Sequence, residues 1–265
     1  MAARPMTQIE AARQLASELA GKEGDRAGAP LRRVFAIDPT VDRTPLARLI
    51  QQRDSYAGSP GGSVRLRLFV SLMWACVQEP YDTTRPARFW ASLLGLDDPD
   101  RAGARRIRAA LKELEERHFV HLQPAGSSTR VTVLNERGDG TIYLPPYEAL
   151  AAHQPKEANE YFRVPTEIWT DGYLARLDGP ATAMLLILLA ESRGRRRGVW
   201  FSAKKADQSY GVSLATRTRG IDQLREVGLI TVKKMDVNPQ TRESRTRNVY
   251  EIPILPKEAT DERTR

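Results

Sequence analysis

The sequence predicts a mainly α chain with small β-hairpins, an α+β fold in which one architecture is written twice. Three observations predict it. The tetrapeptide Leu-Ala-Arg-Leu stands at residues 46–49 and again at 174–177, each time after an apolar extended segment and a proline. Each copy precedes a long apolar run of helical length, "VRLRLFVSLMWACVQ" in one half and "ATAMLLILLAES" in the other. Each half then continues with a short helix ended by glycine (Gly95, Gly211), a longer amphipathic helix and two β-rich runs. Five matched elements in one order imply a duplicated architecture.

Composition sets the bounds. A chain of 265 residues with 41% hydrophobic side chains is long enough for two cores. The longest apolar run, "AMLLILLA", falls far short of the roughly 18 residues that a membrane span requires, so no membrane partner is expected. No secretory leader is read at the N-terminus, and Glu10 and Glu18 argue against a mitochondrial presequence. The expected compartment is the cytoplasm, at the nucleoid. The single cysteine, Cys76, lies in an apolar segment and reads as a small buried hydrophobe. The net charge of +8 favours a polyanionic partner, but charge placement has to decide.

Taken in order, "TQIEAARQLASELA" places Ile9, Ala12, Leu15 and Leu19 on one helical stripe behind a Thr7 cap. Residues 1–30 are therefore read as an N-terminal helix and flexible linker, with the helix available as a homodimer contact. Residues 31–145 form the first unit, 146–159 a polar, proline-bearing linker, 160–256 the second unit and 257–265 a disordered tail. In the second unit, Asp178 before Gly179-Pro180 is a helix start. Ser202 caps a helix that Gly211 ends, and Ser213 caps the next, which Gly228 ends. Two strands follow, joined by a polar loop. The first unit repeats this order with its central turn longer by "DDPDRA", and with His118 where the second has Gly228. Helix, short strand, helix, tight turn, helix and hairpin is the order of a winged helix-turn-helix.

The two longer helices carry the chemistry. On a helical wheel, Leu214, Ile221 and Leu224 form the inner stripe of the second, and Thr216, Arg219 and Gln223 the outer face, near the Ser213 cap. Arg217 is read as packing its stem while its head reaches outward. Such side chains suit base edges and phosphates in a major groove, where carboxylates would be repelled. In the first unit Ile107, Leu111 and Leu114 point inward and leave Arg105, Arg106, Arg108 and Lys112 outside. The hairpins add Arg130 in the first unit and Lys233, Lys234, Arg242, Arg245 and Arg247 in the second, placed as a wing would be against phosphates or a minor groove. Arg193, Arg195, Arg196 and Arg197 are further phosphate-contact candidates.

The repeated order, the paired "LARL" segments and the helix ending "LREVGLI" resemble tandem winged-helix DNA-binding proteins, among them plasmid replication initiators with two pseudo-twofold-related winged helices. The resemblance covers roughly residues 31–256 and implies double-stranded DNA as partner, in a replication initiator or transcriptional regulator of a bacterial plasmid or mobile element. The contrasting reading is a winged-helix adaptor that binds proteins. Enzyme signatures are missing: "GSPGGS" lacks the Lys-Ser/Thr of a phosphate loop, and "HFVH" splays its histidines across a helix end. No catalytic residue, metal or cofactor is expected.

Overall fold

Thr7 opens the first helix, α1 (Gln8–Lys22), through a reciprocal cap: its Oγ1 accepts from the Glu10 N–H at 3.2 Å, and Glu10 Oε2 accepts from the Thr7 N–H at 2.7 Å. The computed structural model describes residues 7–22, 28–51, 61–126, 128–152, 155–193, 196, 198–236 and 246–255. Strand β1 (Ala29–Arg32) leads through a 3-10 turn to α2 (Pro45–Ile50), which holds the first Leu-Ala-Arg-Leu. Then come α3 (Gly61–Ala75), β2 (Asp82–Thr83), α4 (Ala87–Leu93), α5 (Ala104–Glu116) and the hairpin β3 (Val120–Ala125) and β4 (Ser128–Val133). The segment expected as a linker holds α6 (Pro146–Ala151) and α7 (Lys156–Asn159). The second half runs β5 (Tyr161–Val164), α8 (Glu167–Thr170), α9 (Tyr173–Arg176), α10 (Gly179–Ser192), α11 (Ala203–Ser209), α12 (Leu214–Glu226), β6 (Thr231–Asp236) and β7 (Thr246–Glu251). The chain is thus mixed α/β, predominantly helical, with small antiparallel sheets.

The two halves match in detail. Helices α4 and α11 have 7 residues each and are closed by Gly95 (φ 61°) and Gly211 (φ 65°). Helices α5 and α12 have 13 residues each and end alike, with Phe119 N–H donating to Leu114 O at 2.9 Å and Leu229 N–H to Leu224 O at 3.0 Å. His118 takes the left-handed conformation (φ 64°) that Gly228 (φ 75°) takes in the other half, so the closing bonds outweigh the side-chain penalty there. The "DDPDRA" extension forms a single π-type turn, Pro99–Gly103, capped by Asp98. The first sheet is ordered β2-β4-β3. In the second half one bridge, Val199 to Tyr250, stands in the place of β2, beside β7 and β6.

One feature departs from the reading of two self-contained units. The first extended segment lies upstream of its expected position, because β1 pairs antiparallel with β5 of the other half, from Ala29 opposite Val164 to Arg32 opposite Tyr161. Arg33 N–H then donates to Glu160 O at 2.7 Å and the chain turns away. Beyond this pair, each Leu-Ala-Arg-Leu segment docks on the glycine turn that follows the other half's short helix. A Cβ on Gly211 would lie 3.2 Å from the Ala47 Cβ, and one on Gly95 would lie 2.9 Å from the Ala175 Cβ. Thr44 Oγ1 donates to Tyr210 O at 3.0 Å, and Arg67 Nη1 donates to both Leu94 O and Leu174 O at 3.3 Å. Trp74 and Trp169 stack at 4.5 Å, and the Trp169 indole N–H donates to Ser71 Oγ at 3.0 Å. The result is one apolar cluster drawn from both halves.

Helix α1 lies across this joint, packed on α4 of the first half and on α8 and α9 of the second. Ala12, Ala16 and Leu19 are buried there, and only Ile9 at the edge of the stripe is exposed. The apolar stripe read as available for a homodimer contact is thus covered by its own chain.

Candidate nucleic-acid interface

Helix α5 is strongly two-faced. Ile107, Ala110, Leu111 and Leu114 are buried, while Arg105, Arg108 and Lys112 are exposed and Arg106 is half-buried. The carboxylates that follow them in sequence are engaged by the fold. Glu113 pairs with the buried Arg65 and, at 3.9 Å, with Arg117, and Glu115 accepts from the Leu122 N–H at 2.8 Å. With these acids held, the outer face keeps its positive charge.

Helix α12 departs from the wheel at several positions. Ser213 caps it, its Oγ accepting from the Thr216 N–H at 3.2 Å and lying 2.9 Å from the Thr216 hydroxyl. Leu224 is buried and Ile221 half-buried as read, but Leu214 is 66% exposed. It stands in the first turn, at the mouth of a groove of about 320 Å³ lined also by Phe201, Ile221 and Tyr250. Arg217 is corrected too. Its side chain is buried against the body, where Nη2 meets Asp207 Oδ1 at 2.7 Å and Nη1 has no hydrogen-bond partner among the described residues. Its head therefore does not reach outward. Gly220 is the point of closest helix approach: a Cβ there would fall 2.4 Å from Pro180 O.

Arg219 keeps 71% of its side-chain exposure while its Nη2 meets Asp178 Oδ2 at 2.7 Å. Gln223 is not on an open face. Its Oε1 accepts from the Asp178 N–H at 3.0 Å and its Nε2 donates to Arg176 O at 3.3 Å, because the α9–α10 junction closes over that part of α12. Periodicity describes an isolated helix and misses this cover.

The hairpins carry their share of cations. Lys233 and Lys234 are exposed, and Lys233 Nζ donates to Glu251 Oε1 at 3.2 Å. Arg247 is half-buried, its guanidinium 4.4 Å from the Trp200 ring centre, a cation–π contact that anchors the base of the loop. Arg242 and Arg245 lie outside the described residues, as do Arg195 and Arg197. Arg193 pairs with Glu160 at 3.5 Å, and Arg196 is partly buried. Arg130, exposed on β4, donates to Asp82 Oδ2 at 2.6 Å.

Sequence reasoning passed over the junction between the two helices. Asp178 was legible only as a cap, which it is: its Oδ1 accepts from the Ala181 N–H at 2.9 Å. Arg67, nine-tenths buried on α3, lies within electrostatic reach of both Arg106 and Asp178. Burial first, and then the charge of Arg106, lower its pKa to about 10, while Asp178 opposes the shift. Asp178 thus pairs with Arg219 of α12 and lies within electrostatic reach of the buried Arg67. The N-terminus of α10 abuts α3, a Gly179 Cβ falling 3.1 Å from Ser63 Cα. No helix among the described residues is long and apolar enough to cross a membrane.

Compared with protein-family models, curated proteins and solved structures, the chain matches none.

Proposed function

We propose that the chain is a sequence-specific double-stranded DNA-binding protein built from two fused winged helix-turn-helix units, with α5 and α12 as the helices that enter the major groove. Its place would be as a replication initiator or transcriptional regulator of a bacterial plasmid or mobile element. The observation that carries the reading is the cationic outer face of α5, with Arg105, Arg108 and Lys112 exposed; on α12 Arg219 is exposed beside Asp222 and Glu226. Sheet order supports the winged-helix reading, since in each half the strand before the helix pair adds to the outer edge of the following hairpin. The charge balance on α5 supports a polyanionic ligand, because Glu113 and Glu115 are engaged with the chain's own groups.

A protein-binding adaptor has one observation in its favour, the exposed Leu214 and Trp200 on the second half. Equilibrium binding to a duplex across a salt series separates the two. If about six phosphates are neutralised, log affinity falls against log salt with a slope near −5. A slope near zero, or no retention of any duplex at low ionic strength, assigns the surface to a protein partner instead.

A further inference from the structure

We propose that Asp178 is a positioning residue for base recognition, holding Arg219 in the orientation from which it reads DNA. The inference rests on the DNA-binding reading above. Three contacts converge on this residue: Oδ1 caps α10 at Ala181, Oδ2 holds Arg219 Nη2 at 2.7 Å, and the backbone N–H donates to Gln223, which reaches on to Arg176 O. Arg219 and Gln223 are one helical turn apart on α12, so a single residue of a different element fixes two neighbouring side chains of the helix.

Stability does not explain this arrangement. An ion pair whose arginine is 71% exposed contributes little to folding, and a carboxylate beside a phosphate-binding face opposes the ligand. Its benefit is geometric. Arginine has five N–H donors, and engaging one nitrogen with a carboxylate leaves the rest of the planar fork free for the O6 and N7 acceptors of guanine. A long side chain that is oriented before binding loses less rotamer freedom on contact, which is how a supporting shell sharpens recognition.

The test compares the wild-type protein with Asp178→Asn, Asp178→Ser and Arg219→Ala. Asparagine and serine both keep the cap of α10 while removing the charged partner of Arg219. For each protein, affinity is measured for the duplex selected from a random pool and for a scrambled duplex of equal length, together with the melting temperature. The expected result for both Asp178 variants is a drop of roughly fivefold or more in preference for the selected duplex, at the same base position that Arg219→Ala loses. Affinity for the scrambled duplex is unchanged or higher, and Asp178→Asn combined with Arg219→Ala discriminates no worse than Arg219→Ala alone. Retention of the wild-type preference overturns the proposal. So does an equal loss on both duplexes, or a loss confined to variants whose melting temperature has collapsed. If the wild-type protein itself binds neither duplex, the DNA reading has failed, a result distinct from failure of the Asp178 variants alone.

Discussion

Arg217 occupies on α12 the position that Ile107 fills on α5, fully buried in both halves but charged in only one. Its partner Asp207 is 64% exposed, so removing the arginine leaves a solvated carboxylate and no stranded charge in the core. Replacement of a buried ion pair by a well-packed apolar side chain is commonly neutral or stabilising. Arg217→Ile is accordingly expected to hold or raise stability, by up to about 2 kcal/mol in chemical denaturation, with duplex affinity unaltered. Arg219→Ala should do the reverse, costing affinity and leaving stability within about 0.5 kcal/mol. A fall in affinity for Arg217→Ile without a loss of stability would return Arg217 to the binding surface. These two arginines sit two residues apart in sequence, and what separates them is the position of α11 and of the α9–α10 junction, which helical periodicity does not contain.

At the scale of elements, the reading of the sequence succeeded where the signal was local. Caps at Thr7, Asp178, Ser202 and Ser213, the glycine stops at Gly95, Gly211 and Gly228, and the inner stripe of α5 are all consequences of neighbouring residues, and all stand where they were expected. It failed where the cause was tertiary. Leu214 looks like an inner residue by spacing, but α12 begins before the core reaches it; Gln223 looks like an outer residue, but another element covers it. The paired Leu-Ala-Arg-Leu segments were visible as a repeat, while the surface each one docks on was not.

Two substitutions probe these elements. His118→Gly relieves a left-handed backbone at an exposed helix end and should raise stability by up to about 1 kcal/mol in denaturant titration, whereas an unchanged or lower midpoint would mean that the histidine makes a compensating contact. Ala175→Leu inserts bulk where Gly95 approaches its Cβ, and overpacking of this kind costs about 1–3 kcal/mol. Full stability in that variant would contradict the docking of the second Leu-Ala-Arg-Leu on the first half.

For the whole molecule, the β1–β5 pair, the Trp74–Trp169 stack and the reciprocal alanine–glycine contacts tie the halves into one cluster, with α1 across the joint. A core shared in this way makes unfolding cooperative across the duplication. Calorimetry should show one transition, and two resolved transitions would mean that the halves fold independently. The same rigidity fixes the relation between α5 and α12, so on the proposed function one chain presents two unlike helix faces to one duplex. Arg105, Arg106 and Arg108 on α5 correspond to Ala215, Thr216 and Thr218 on α12, and two helices so different should read different base sequences. Selection of bound sequences from random duplex DNA, repeated with Arg106→Ala and Arg219→Ala, tests this most directly. The expected result is one site with two dissimilar blocks, each variant losing preference in a different block. Enrichment of no sequence, or of the wild-type site by both variants, would contradict it.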